Sequence, residues 1–328
     1  MDPNTDSLDF YRPFDSNDFV FERCFLCGID LSKSNRSDEH IFPKWLLHKF
    51  NLWNETLTMI NGSRFQYKRL VIPCCKECNN EHLAAMESRF LSLMERKFEN
   101  LNHDDEQTIF QWASKILYGT LYKELSLKMD VRNPHLGPLL TPEQVENYGA
   151  MHLHLQSIRV PTEFIQPKPW SLFVFNYKED TYDYINEIRK LCFSIKLGEI
   201  GVTLVFQDNN EVENVCAPVK GLNNFMLDDL QFIEATALVF YGKYIAENTP
   251  TYMNIYCKST QKMQVVSLRA LRSKPWDDQE YAALLEAMLA ANGVYLDEPI
   301  YLGPGQLQTS LVDDDGVLMI HKLNSKKD

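Results

Sequence analysis

The sequence predicts an α+β protein in two parts: a small cysteine-rich module near the N-terminus and a larger region mixing helices and strands. Three observations carry this expectation. Two C-x-x-C pairs, Cys24/Cys27 and Cys75/Cys78, bracket a short segment. Apolar residues recur at helical spacing from Leu83 to Phe98 and again from Ile109 to Leu125. From about residue 170 the period changes to two, in "WSLFVFNY", "LCFSIKL", "IGVTLVF" and "YMNIYC". A length of 328 residues suits two domains. The expected boundaries are an acidic segment 1–20, the cysteine module 21–100, and an α+β C-terminal domain 101–328 entered through a helical linker 101–130.

The composition, 45% apolar and 24% charged, is that of a chain able to bury a core. No run of roughly 18 uninterrupted apolar residues occurs and no basic-then-apolar leader opens the sequence, so a cytoplasmic protein without a membrane partner is expected. The net charge of −12 argues against coating nucleic acid by charge alone. The acidity lies outside the module, however: residues 20–100 hold 12 Lys and Arg against 10 Asp and Glu.

Eight cysteines with no secretion signal point to metal ligation or free thiols before disulfides. Four thiolates from two C-x-x-C turns close a tetrahedral shell, so Cys24, Cys27, Cys75 and Cys78 are expected to hold a structural zinc that supplies folding energy. The long gap between the pairs implies a treble-clef-like knuckle with an insertion. Cys74 is the alternative to Cys75, which matches the first pair's spacing better. Cys192, Cys216 and Cys257 stand alone in strand-like surroundings and read as small core residues.

Between the knuckles lies "SDEHIFPKWLL", and the second knuckle runs into "CNNEHLAAMESRF". Glu39 and His40 alternate on a strand-like segment that Pro43 ends, so they face opposite sides. Phosphodiester hydrolysis at neutral pH needs an activated water and a cation on the leaving oxygen; a neutral histidine and a divalent metal supply these. The stretch from Cys24 to Phe90 resembles the HNH endonucleases, the ββα-metal group with a treble-clef zinc knuckle, through "DEHIFPKWL" and "CKECNN". The resemblance implies DNA hydrolysis with His40 as general base and Glu39 as ligand of a catalytic magnesium or manganese ion. Asn79 follows the last cysteine as the helix ligand. Leu83 stands where a second ligand is often found, which brings in His82 or Asn80 as substitutes. Glu87 is a weaker candidate for holding the ion or orienting a ligand, Asp38 a cap or bystander, and Trp45, Leu46 and Leu47 are core.

Arg64, Lys68 and Arg69 lie in a segment read as a strand reached through the Asn61-Gly62 turn, and are candidates for phosphate contact. Further on, "NLNHDDEQ" breaks two helices, and 132–169, with six prolines from Pro134 to Pro169, reads as connections around a strand "HLHLQSIRV". That strand would place His152 and His154 on one solvent face. One clear helix is expected after 170, from the cap at Asp277 to the stop at Gly293, and Asp313–Gly316 reads as a hairpin turn. Residues 248–276 contain no acid but include Lys258, Lys262, Arg269, Arg272 and Lys274, a candidate nucleic-acid-facing stripe.

The expected function is a metal-dependent endonuclease acting on DNA, with RNA as an open alternative, in a role such as phage defence. The competing readings are a non-catalytic zinc-stabilised binding module, and an effector subunit regulated by a protein partner through the acidic C-terminal domain.

Overall fold

The computed structural model describes residues 10–16, 21–130, 132–137, 145, 148–296 and 299–311. It is α+β and divides into two units, residues 1–167 with 251–269, and 168–250 with 270–328. The first unit therefore extends well past residue 100 and takes back a later segment. Most of the segment 1–20 and the expected hairpin at 313–316 lie outside the described residues. Among those residues no helix is long and apolar enough to cross a membrane.

Strand β1 (Arg36–His40) pairs antiparallel with β4 (Val71–Cys75), with Glu39 opposite Ile72 and His40 opposite Val71. The strand stops before Pro43, which precedes helix α1 (Lys44–Lys49) and burial of Leu46 and Leu47. Gly62, at φ +79°, turns β2 (Thr56–Thr58) into β3 (Arg64–Gln66), a conformation that favours glycine. The strand expected over this stretch is interrupted by a single tight turn, Tyr67–Arg69, which buries the Tyr67 ring 4.8 Å from that of Phe42. Arg64 alone of the three cations lies on a strand; Lys68 and Arg69 are on the turn.

A wide i→i+5 turn over Cys78–Leu83 leads into α2 (Ala84–Glu95). Helix α3 (His103–Leu125) begins at a reciprocal capping box between Asn102 and Asp105. It is the centre of this unit, buried on nearly every face, with Trp112 stacked on Phe90 of α2 at 3.9 Å and an interplanar angle of 7°. Gly119 interrupts its propensity for a packing reason: a Cβ there would meet the Ile41 side chain at 3.0 Å.

The segment expected to be the strand "HLHLQSIRV" is instead helix α4 (Gly149–Leu155) with a tight turn through Ile158. Its alternation is too short to distinguish the two periods, and both faces are covered, so no polar stripe marks the helix. His152 and His154 are accordingly buried, 1% and 2% exposed, and not on a solvent face. The unit continues to β5 (Thr162–Phe164).

The second unit is built on a long hairpin, β6 (Trp170–Glu187) with β7 (Cys192–Phe206). The two strands expected at "LCFSIKL" and "IGVTLVF" are one, and a register shift between Asn176 and Thr181 absorbs the irregularity near Gly198. After α5 (Glu211–Val215), the short β8 (Met226–Leu227) pairs parallel to β6. Helix α6 (Asp229–Tyr244), started by an Asp228/Gln231 capping box, crosses β7 where Phe232 fills the space a Cβ at Gly201 would need. No helix was expected here; α6 is buried on most of its surface, so its sequence lacks a polar face to betray the period. Cys216 ends α5 and not a strand; it is buried, as is Cys192, while Cys257 is partly exposed.

The chain re-enters the first unit as β9 (Tyr252–Cys257) and β10 (Lys262–Ser267), an antiparallel pair whose β10 also pairs parallel to β5. It then returns to the second unit as α7 (Asp278–Ala291), capped by Asp277 and followed by Gly293 at φ +76°, as expected, and the small β11 (Tyr301–Gly303) and β12 (Gln306–Leu307).

Burial pushes His154 down to about 3, and its Nε2 has no hydrogen-bond partner, in a pocket of Phe110, Phe164 and Tyr252 rings. A base whose folded pKa lies below its unfolded value binds more protons when unfolded, so its stabilisation is complete above pH 6.5 and declines as pH falls towards 3. Denaturation midpoints followed from pH 7 to 5 should decline in the wild type. In His154→Phe the dependence is expected to be shallower, by up to about 1.4 kcal/mol per pH unit.

Candidate metal centre and strand-end site

The four expected zinc ligands do converge. The ligand atoms of Cys24, Cys27, Cys75 and Cys78 all lie within 4.8 Å of one another, and no other group of three or more His, Cys, Asp or Glu donors of this kind occurs among the described residues. The Cys27 and Cys75 sulfurs are 3.8 Å apart. This matches the edge of about 3.8 Å that a tetrahedron with Zn–S bonds near 2.3 Å requires. The four cysteines could thus hold a structural metal such as zinc.

Local backbone chemistry sets this geometry. The Gly28 amide donates to the Cys24 carbonyl at 2.9 Å, and Gly28 adopts φ +76°, closing the first knuckle. The Phe25 amide donates to the Pro73 carbonyl, stitching that knuckle to β4. In the second knuckle the Cys78 amide donates to Cys75 Sγ at 3.4 Å. Cys74 is excluded from the four, although its sulfur lies 4.0 Å from that of Cys24. Hydrogen bonding to Cys27 holds the Cys24 thiol far below its ordinary value, and hydrogen bonding to Cys24 pushes the Cys78 thiol far above its own. Such a set of sulfurs sharing protons is one that a divalent cation would convert to thiolates.

His40 ends β1 at the opposite end of the strand pair from Cys75. Its ring is half-buried, 5.9 Å edge-on from that of Trp53, whose indole Nε1 donates to His48 Nδ1 at 3.1 Å. Burial, with Lys44 adding to it, lowers His40 below the usual histidine value, so the imidazole is neutral and able to accept a proton at pH 7. Asn79 from the wide turn reaches back to β1: its Nδ2 donates to Ser37 Oγ at 2.9 Å and to the Asp38 carbonyl at 3.4 Å. Asp38 forms an ion pair with Arg36 two residues away on the strand surface.

Glu39 turns to the other face of β1, as strand alternation requires, and is buried there. Its Oε1 pairs with the Nζ of Lys115, a wholly buried residue of α3. The same ammonium donates to the His40 carbonyl at 2.6 Å, the Ile41 carbonyl at 3.2 Å and Glu87 Oε1 at 3.3 Å. Burial opposes its charge, but Glu39 and Glu87 outweigh this and hold Lys115 above the ordinary lysine value. Burial pushes Glu87 up against the pull of Lys115. No side chain among the described residues bonds Oε2 of Glu39 or of Glu87.

The remaining candidates are dispersed around this centre. His82 is partly buried and Asn80 exposed on the wide turn, while Leu83 is 1% exposed and belongs to the core. Arg64, Lys68 and Arg69 are exposed, with Lys68 Nζ donating to Asn54 Oδ1 at 2.7 Å. Glu39, His40 and His82 do not form a three-donor group. Lys115 was missed by sequence reasoning; its signal was a lone cation beside Ile116 and Trp112 inside the buried stripe of a long helix. No family model, curated protein or solved structure matches the chain.

Metal analysis of the purified chain should give one zinc per molecule. Cys75→Ser is expected to lose that zinc and Cys74→Ser to keep it, because Cys74 stands outside the four. Lys115→Met should destabilise the first unit by about 3–5 kcal/mol in urea unfolding, since it leaves two buried carboxylates without a cation. Adding Glu39→Gln and Glu87→Gln to it should recover part of the loss.

Proposed function

We propose that the first unit is a metal-dependent phosphodiesterase of the HNH type acting on DNA, with the cysteine knuckle as its structural support. The observation that carries the reading is the placement of Glu39, His40 and Asn79. A neutral, half-exposed imidazole ends β1, the Asn79 amide braces that strand from the helix side, and Glu39 keeps one carboxylate oxygen without a partner among the described residues. His40 accepts the proton of the attacking water. Lys115 fixes the His40 carbonyl and one oxygen of Glu39, so the strand end is held before substrate arrives. A magnesium or manganese ion held by Glu39 with Asn79, Asn80 or His82 would supply positive charge to the leaving oxygen. Two carboxylates facing one lysine carry a surplus negative charge, which suits a cation at this edge.

The Glu39–Lys115 pair also favours a second reading, a zinc-stabilised binding module in which Glu39 is purely structural. Nicking of supercoiled plasmid distinguishes them. The first reading expects metal-dependent nicking that falls by about 100-fold or more in His40→Ala, the scale of general-base loss, with zinc content unchanged. The acidic limb of its pH profile should have its midpoint below 6.5, following the lowered pKa of His40. Absence of nicking in magnesium and manganese, with zinc bound, would leave the second.

A further inference from the structure

The first unit contains a second concave site that the strand-end chemistry does not use. It is a cavity of about 440 Å³ between the first turns of α3, the middle of α2, the 157–162 connection and the start of β10. This size falls within the range of small-ligand pockets, roughly 300–1,000 Å³. Three cations line it, Arg89, Arg159 and Lys262, against one acid, Asp104. The Asp104 carboxylate is 97% exposed and lies 3.9 Å from His103 Nδ1, so it does little to neutralise them. Neither Arg89 nor Lys262 forms an ion pair among the described residues. Arg159 donates through Nη1 to Gln156 Oε1 at 3.0 Å, yet its Nε is buried with no hydrogen-bond partner. A buried guanidinium nitrogen left unsatisfied is costly unless an acceptor occupies the site.

The walls are rigidly built. Gln111 Nε2 donates to the Ser157 carbonyl at 2.9 Å, and Gln107 Nε2 to the Thr162 carbonyl at 3.4 Å. Those bonds tie α3 to the connection and leave each amide oxygen as an acceptor. Ile158, Val160 and Pro161 add apolar surface.

We propose that this cavity binds the phosphomonoester of a nucleotide-sized ligand. Surplus positive charge matches a dianionic phosphate, guanidinium geometry suits its oxygens, and the amides with the apolar wall suit a heterocyclic ring. The site explains part of the acid-free stretch 248–276: Lys262 of that stretch enters the cavity. The phosphate could come from a free nucleotide or from the end of a nucleic-acid strand.

Isothermal titration of the full zinc-bound chain with adenosine 5′-monophosphate, at fixed chloride concentration, tests the assignment. Binding is expected, and adenosine should bind at least about tenfold more weakly, the scale of one lost charge-assisted contact. The double variant Arg89→Gln/Lys262→Gln, both exposed positions chosen to spare folding, should show the same loss, while Lys258→Gln outside the cavity should not. A short single-stranded oligonucleotide with and without a 5′-phosphate separates the sources: tighter binding of the phosphorylated strand than of the mononucleotide assigns the strand end, and the reverse assigns the free nucleotide. Equal affinity of the double variant and the wild type, or binding that ignores the phosphate on both probes, overturns the proposal. None of these outcomes depends on nicking.

Discussion

The first unit depends on one buried ammonium. Lys115 sits at the core of α3 with no solvent exposure, and it binds two carboxylates and two backbone carbonyls that come from β1, the residue after it and α2. Burying such a charge is tolerable only when its donors are satisfied, so each of these partners is constrained to its place. That fixes where β1 ends, since the His40 and Ile41 carbonyls are turned inwards to the lysine. Consequently the His40 ring, on the opposite side, is presented outwards. Gly119, one turn further along α3, allows Ile41 to approach the helix closely enough for this.

The thiolate knuckle and the lysine triad anchor the same strand pair at opposite ends. Cys75 lies at one end of β4, opposite Arg36, and Val71 at the other, opposite His40. The pairing between them is only five residues long, too short to be stable alone. Four converging cysteines able to hold a metal at one end and a buried ion network at the other supplement the little core that so small a sheet builds by itself. Asn79 closes the third side by tying the wide turn to Ser37 and Asp38.

Much of this was legible from local chemistry, and the failures have a common cause. Spacing alone picked out the four cysteines and preferred Cys75 to Cys74. Helix starts were readable at the 101–105 break and at Asp277, because caps and first-turn acids are local signals. Helix α4 and helix α6 were not, because both are covered on most faces and their sequences show no polar stripe. His152 and His154 were placed on a solvent face for the same reason. The partner of Glu39 could not be read at all: Lys115 is 76 residues away in sequence, and nothing local connects them.

That missing partner changes how the strand-end site should be understood. An isolated Glu39 beside His40 would owe its charge wholly to a bound cation, and the empty site would be an unpaired buried carboxylate. With Lys115 on Oε1 the carboxylate is already oriented and has a counter-charge, so the divalent ion of the proposed reading would approach Oε2. In the proposed reading the arrangement would lower the cost of the metal-free state and make the site weaker and more exchangeable than one built on an unpaired carboxylate. The cysteine set differs in kind, since its sulfurs meet chiefly other thiols and backbone amides, and a metal there would replace their shared protons. If the strand end takes an ion as proposed, that difference in what each ligand set has without a metal would make it the labile site and the knuckle the permanent one.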